Sequence, residues 1–185
     1  MKKTALVIAL MAPSTLLAQQ TRELGAHEHG HSALNIAIEG TQVLLELEAP
    51  GADIMGFEYR AHTQADRAKQ DAAIAALSAP LSLFVLPAAA GCTVVEAHAH
   101  LVDEHHDHAD GHDDHAKDDG AHHTEFHAEY LLNCTDPSAI DRIEFAYFQT
   151  FPKAREVDVQ MISAKGAQGF EVERNAPVLD LSGLI

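Results

Sequence analysis

This 185-residue chain is poor in basic residues and has almost no long apolar runs. Twelve Lys and Arg stand against 28 Asp and Glu, giving a formal net charge of -16 with histidines neutral. Such a balance argues against nucleic acid and anionic lipid as partners and favours cations. Apart from residues 5–12, no stretch approaches the roughly 18 apolar residues of a spanning helix, so no stable membrane anchor is expected. Sequence signatures of catalysis are missing too: there is no HExxH, no GxSxG and no phosphate-binding glycine loop. A zinc hydrolase assembled from distant residues would have no motif behind it, and the chain is read as a non-enzyme.

Only two cysteines are present, Cys92 and Cys134. Their state depends on compartment, and the N-terminus speaks to that. Lys2 and Lys3, an apolar run from Ala5 to Ala12 and a small-residue exit at Ala18 make residues 1–18 a secretory signal peptide. Residues 19–185 are then a single exported, periplasmic domain, large enough for one core. In that oxidising setting the two cysteines are expected to form a disulfide. Loss of the leader removes two cationic side chains and no acid, so the mature chain is more acidic still.

Alternation from His31 onward sets Leu34, Ile36 and Ile38 on one face and Asn35, Ala37 and Glu39 on the other; an apolar run resumes after Gly40. This predicts a two-stranded hairpin. Residues 63–78 read as a helix opened by Thr63 with Asp66 three residues on, carrying an apolar stripe of Ala72, Ile74, Ala75 and Leu77 and stopped by Pro80. Residues 81–86, 92–101, 126–134, 140–148, 155–163 and 169–173 read as strands. The expected fold is α+β, mostly antiparallel sheet with one main helix.

Between two of those strands lies DEHHDHADGHDDHAKDDGAHH, residues 103–123. Nothing in it is suited to a hydrophobic core, and a long disordered loop is expected. It holds His105, His106, His108, His112, His115, His122 and His123 among Asp103, Glu104, Asp107, Asp110, Asp113, Asp114, Asp118 and Asp119. Acids alone would make a solvated loop equally well. The dense imidazoles point instead to borderline divalent ions, Zn(II) above all, with Ni(II), Co(II) and Cu(II) sharing the same donor preference. Gly111 and Gly120 keep the loop pliable, which suits capture and release better than catalysis.

The strands offer sharper geometry. His27, His29 and His31 share the parity of Asn35 and Glu39, so a first strand extended backward would line them on its polar face. Residues two apart on a strand are about 6–7 Å apart on one side, close enough for two imidazoles to share an ion. His98 with His100, opposite in parity to Val95, Ala97, Ala99 and Leu101, and His127 with Glu129, opposite to Phe126, Ala128 and Tyr130, make two further pairs. His62, alone at the start of the helix, is read as a surface residue. The cysteines pose a register problem. Cys92 has the parity of polar His98 and Cys134 that of core Phe126 and Tyr130, so a direct bridge requires a bulge or a cysteine just outside its strand.

HEHGHSALNIAIEG (27–40), GADIMGFEY (51–59), FPKAREVDVQMISAKGAQ (151–168) and the closing APVLDL (176–181) together resemble the ZrgA family of periplasmic zinc-uptake proteins. The likeness spans nearly all of the mature chain, and HxHG at His27–Gly30 and GFE at Gly56–Glu58 are its most specific parts. It implies a zinc-binding protein with a histidine-rich loop, working with an inner-membrane ABC-type importer, and carries His27, His29 and the loop histidines over as metal ligands. Family members often place histidine directly after GFE, where this chain has Tyr59. The alternatives to zinc capture for import are a periplasmic metal buffer or chaperone with no transporter, and an acidic interaction module with no metal affinity.

Overall fold

The computed structural model describes residues 28–104 and 123–185. Residues 1–18, expected to be a signal peptide, and most of the histidine run lie outside these residues. Nine strands and four short or medium helices follow in chain order: β1 His31–Glu39, β2 Gln42–Pro50, α1 Gly51–Ile54, α2 Gln64–Leu77, α3 Pro80–Leu83, β3 Phe84–Val85, β4 Cys92–Glu104, β5 His123–Cys134, β6 Arg142–Phe145, α4 Tyr147–Thr150, β7 Glu156–Ser163, β8 Gly166–Glu173 and β9 Val178–Asp180. The class is α+β, as the alternation predicts.

Six strands form one sheet in the order β4-β5-β2-β1-β7-β8, and β3-β6-β9 form a small second sheet. All neighbours in the large sheet are antiparallel except β1 and β7, which run parallel with His31 opposite Glu156. That pairing joins the start of the chain to a segment some 125 positions later, and local periodicity carries no trace of it. One face of the large sheet is buried: Leu34 and Ile36 of β1, Val43, Leu45 and Leu47 of β2, Phe126 and Leu132 of β5, and Val157, Val159 and Met161 of β7 are almost fully covered. Phe84 reaches from the small sheet to Tyr130 and stacks among Phe145 and Tyr147, closing the core with aromatic rings. The alternate residues of the same strands form an open polar face.

Thr63 caps α2 in a reciprocal capping box with Asp66, the arrangement its sequence predicts. Its buried residues are Ala73 and Leu77, one turn apart, whereas Ala72 and Ala75 of the predicted stripe are exposed. In a helix so rich in alanine, the apolar pattern does not single out a face. The helix stops at Leu77; Pro80 opens the next helical turn, α3, where a fixed φ and a missing N–H suit the first position. The predicted strand 81–86 therefore shrinks to Phe84–Val85, and 140–148 splits into β6 and the turn of α4.

Cys92 and Cys134 are bonded and directly opposite in the β4–β5 register. The parity conflict is resolved by a bulge: the register shifts between Val94 and Glu96, so Val95 has no partner and stands exposed instead of joining the inner face. Beyond the bulge Ala97, Ala99 and Leu101 pack inward and His98 and His100 face out. The disulfide closes a span of 42 residues that contains the whole histidine run. Replacing both cysteines by serine should lower stability by about 2–4 kcal/mol through the freer unfolded chain. Urea unfolding would measure this, with zinc affinity expected to stay within a few-fold.

Candidate metal centre

The three strands that carry histidines meet at one side of the sheet: β1 and β5 begin there, as does β7, and β4 finishes there, as do β2 and β8. The HEHGH motif meets this rim through a turn. His31 opens β1, but the strand does not extend back to His29, because Gly30 has φ +96° and the His31 N–H closes a turn on the Glu28 carbonyl. His29 and His31 therefore leave the backbone in different directions, and the predicted shared face is not formed. A side chain at position 30 would be strained at that φ, and its Cβ would lie 3.0 Å from Arg155 Cδ.

His29 meets Glu58. Its Nε2 hydrogen bonds to Oε1 of that carboxylate, and Nδ1 of His123 lies 2.9 Å from the other oxygen, Oε2. One glutamate thus spans two imidazoles that come from the opening motif and from the first residue of β5. Glu58 is largely buried while both imidazoles keep access to solvent. Two nitrogens and one carboxylate form a donor set that suits zinc, with a fourth position left for water or another side chain.

The residues of GADIMGFE hold Glu58 in place. Gly51 lies so close to the start of β5 that a Cβ there would come within 2.3 Å of Thr124 Oγ1. Asp53 is buried and its Oδ2 accepts the Gly30 N–H at 2.7 Å. Gly56 turns the chain at φ +90°, and Phe57 stacks on Tyr59 with ring centroids 4.6 Å apart. The Tyr59 hydroxyl reaches Asp66 at the start of α2. Arg60 pairs with Asp103 at 2.8 Å, fastening the segment to the end of β4.

Desolvation pushes the Asp53 carboxyl above the ordinary carboxylate range, opposed by the Gly30 N–H, by His29 and by Arg155 and reinforced by Glu58. Neither Asp53 nor Glu58 was marked as a site residue by sequence reasoning. A carboxylate inside the apolar run around Ile54, Met55 and Phe57 was the available signal for both.

Other predicted residues fall into two further places. His100 faces His127 across β4 and β5, with ring centroids 5.8 Å apart, and His98 faces Glu129. Glu48 flanks His127 on its other side, and His127 also bonds Glu125 at 2.9 Å. Two of the three predicted polar-face pairs are thereby brought together on the open sheet. His31 turns to β7, where its imidazole, Glu156 and Asp158 bring three ligand atoms within 4.8 Å of one another. Asp103, Glu104 and His123 belong to strands rather than to the loop, and Glu104 pairs with His123. His27, His105, His106, His108, His112, His115 and His122 lie outside the described residues. His62 is exposed and stacks on Tyr59.

Taken together, the fold and its rim define a single α+β unit that gathers imidazole and carboxylate donors at one end of a sheet. The chain belongs to the ZrgA family, whose model, described as ZrgA family zinc uptake protein, matches residues 26–181. That span includes His29, Asp53, Glu58 and His123, and it is a family of uptake proteins rather than of enzymes. No curated protein matches the chain.

Asp53→Ala would leave the Gly30 N–H buried without its acceptor and should cost about 1–3 kcal/mol, whereas Asp53→Asn keeps an acceptor and should cost less. The raised folded-state pKa gives a pH signature. Wild-type stability from this group is fullest below the ordinary carboxylate pKa and is lost as pH rises through the raised folded value, so the balance should move toward Asp53→Asn as pH rises above the ordinary carboxylate range. Denaturant titrations in the presence of a chelator would measure both effects.

Proposed function

We propose that the protein is an exported zinc-binding protein of the periplasm that captures Zn(II) and presents it to an inner-membrane ABC-type importer. Residues 1–18 serve as the signal peptide. The histidine-rich segment gathers ions, and the His29–Glu58–His123 grouping at its base receives them. The observation that carries this reading is Glu58: a largely buried carboxylate held between one imidazole from HEHG and one from the point where the histidine-rich segment rejoins the sheet. It links the two most specific motifs of the family to the most conspicuous feature of the sequence. The negative charge of the chain adds attraction for cations at longer range.

Zinc competition titrations against a chromogenic chelator test the proposal. Glu58→Gln keeps the shape and removes the anionic donor; it should weaken the tightest class of sites by about tenfold or more and leave total capacity little changed. Replacing residues 105–122 by a two-residue Asn-Gly turn between the paired Glu104 and His123 should do the opposite, lowering capacity with the fold intact. Unchanged high-affinity binding in Glu58→Gln would overturn the assignment of the site. An imidazole donates to zinc only when neutral, and the free side chain titrates near pH ~6.5, so two histidine ligands should cost about 10- to 100-fold in affinity between pH 7 and 5.5. A carboxylate-only site would hold its ion over that range. Co-purification or crosslinking with a permease complex, under zinc limitation, separates delivery for import from simple buffering.

A further inference from the structure

Gly30 separates two histidines that the sequence places side by side, and the second has its own surroundings. His31 begins β1 on the open face, directly opposite Glu156 of β7. Its Nδ1 is 3.6 Å from Glu156 Oε1, and the ligand atoms of His31, Glu156 and Asp158 all lie within 4.8 Å of one another. That spacing has meaning. At His123, nitrogen and oxygen are in hydrogen-bond contact, so the grouping around Glu58 is closed by its own protons. Around His31 the separation is too long for a good hydrogen bond, yet it is close to the ~3.4 Å between neighbouring donors of a tetrahedral zinc ion with ligands at ~2.1 Å. The donors stand apart by about the width an ion needs.

The surroundings are rich in oxygen. Glu28 Oε1 lies 3.8 Å from the other nitrogen of the same imidazole. Across the next pair of strands, Glu173 stands opposite Glu156 and Glu171 opposite Asp158. An adjoining cavity of about 350 Å³ is lined by His31, Glu156 and Glu173 together with Arg155, Arg174 and Asn175. Arg174 is already engaged, donating to the carbonyls of Phe148, Phe151 and Ala154. Arg155 leaves one cationic side chain near a group of carboxylates, which offsets their charge only in part.

We propose that His31, Glu156 and Asp158 form a second divalent-cation site, separate from the one around Glu58 and different in preference. One nitrogen and two carboxylates on a half-exposed sheet surface bind zinc less tightly than two imidazoles and a buried carboxylate, and accept harder ions such as Mn(II) more readily. Two sites fed by one short motif, on opposite sides of Gly30, give the rim a tight and a fast-exchanging position for the same cargo. The second site does not depend on delivery to an importer.

The test uses the full mature chain and Mn(II) alone as the probe, read by paramagnetic broadening of amide signals in two-dimensional NMR. In the wild type and in Glu58→Gln, Mn(II) should broaden Ser32, Val157 and Val172, the residues around the His31 grouping. In the double variant Glu156→Gln/Asp158→Asn that broadening should disappear, or require at least tenfold more Mn(II), while the remaining spectrum reports an intact fold. Ions held by the histidine-rich segment would broaden Val102 and Thr124 at the ends of β4 and β5 instead. Broadening near His31 that survives the double variant, or that is absent from the wild type, overturns the second site. Its loss in Glu58→Gln would show one shared site in place of two. Zinc competition on the same variants keeps this outcome distinct from the fate of the Glu58 site.

Discussion

The rim of this protein depends on how the backbone of one residue, Gly30, is held. The Gly30 N–H is taken by the buried carboxylate of Asp53, and its carbonyl receives two N–H groups from the start of β7, those of Arg155 and Glu156. With the N–H and the carbonyl of Gly30 both fixed, the chain has to turn at position 30, and only a residue without a side chain fits between that conformation and Arg155. Everything nearby takes its place from this clamp: His29 is delivered to Glu58, His31 is delivered to β7, and the helical turn that carries Asp53 is drawn against β5. The cost is a carboxylate in a poorly solvated position, offset by the hydrogen bond and by the cationic neighbours. Stability is given up at Asp53 to fix the direction of two ligands.

The sheet gains a division of labour from its alternation. Inward residues of β1, β2, β5 and β7 are aliphatic and aromatic and form a continuous core, while the outward positions near the rim hold His31, Glu48, His127, Glu129, Glu156 and Asp158, and those at the far end hold Asn35, Leu44, Gln160 and Ile162. A rigid ladder thereby spaces potential ligands at fixed intervals, as a flexible segment cannot.

Much of this was legible in the residues themselves. Alternation gave the first hairpin, the inward and outward faces of β5 and β7 and the opening of α2, because each rests on contacts within a few residues. The parity clash between Cys92 and Cys134 even announced the bulge now seen at Val95. What escaped was non-local or depended on a single torsion. The parallel pairing of β1 with β7, which creates the His31 grouping, joins distant segments. The splitting of His29 from His31 depends on one glycine angle, which stops β1 at His31, so the condition for a shared strand face is not met. Glu58 stood in a motif recognised by resemblance, but its partner His123 was counted with the loop, and no periodicity links the two.

The direct pairing of Glu104 with His123 has an architectural consequence. Because the chain leaves and re-enters the sheet at adjacent points, the ends of whatever lies between are held together regardless of its length, and the closure cost grows only by about 0.6 kcal/mol for each doubling. The number of residues between Glu104 and His123 is therefore a dimension along which the gene can lengthen or shorten without touching the core or the rim. The same seam is a natural graft point, since an inserted domain would be held at both ends by two paired strands.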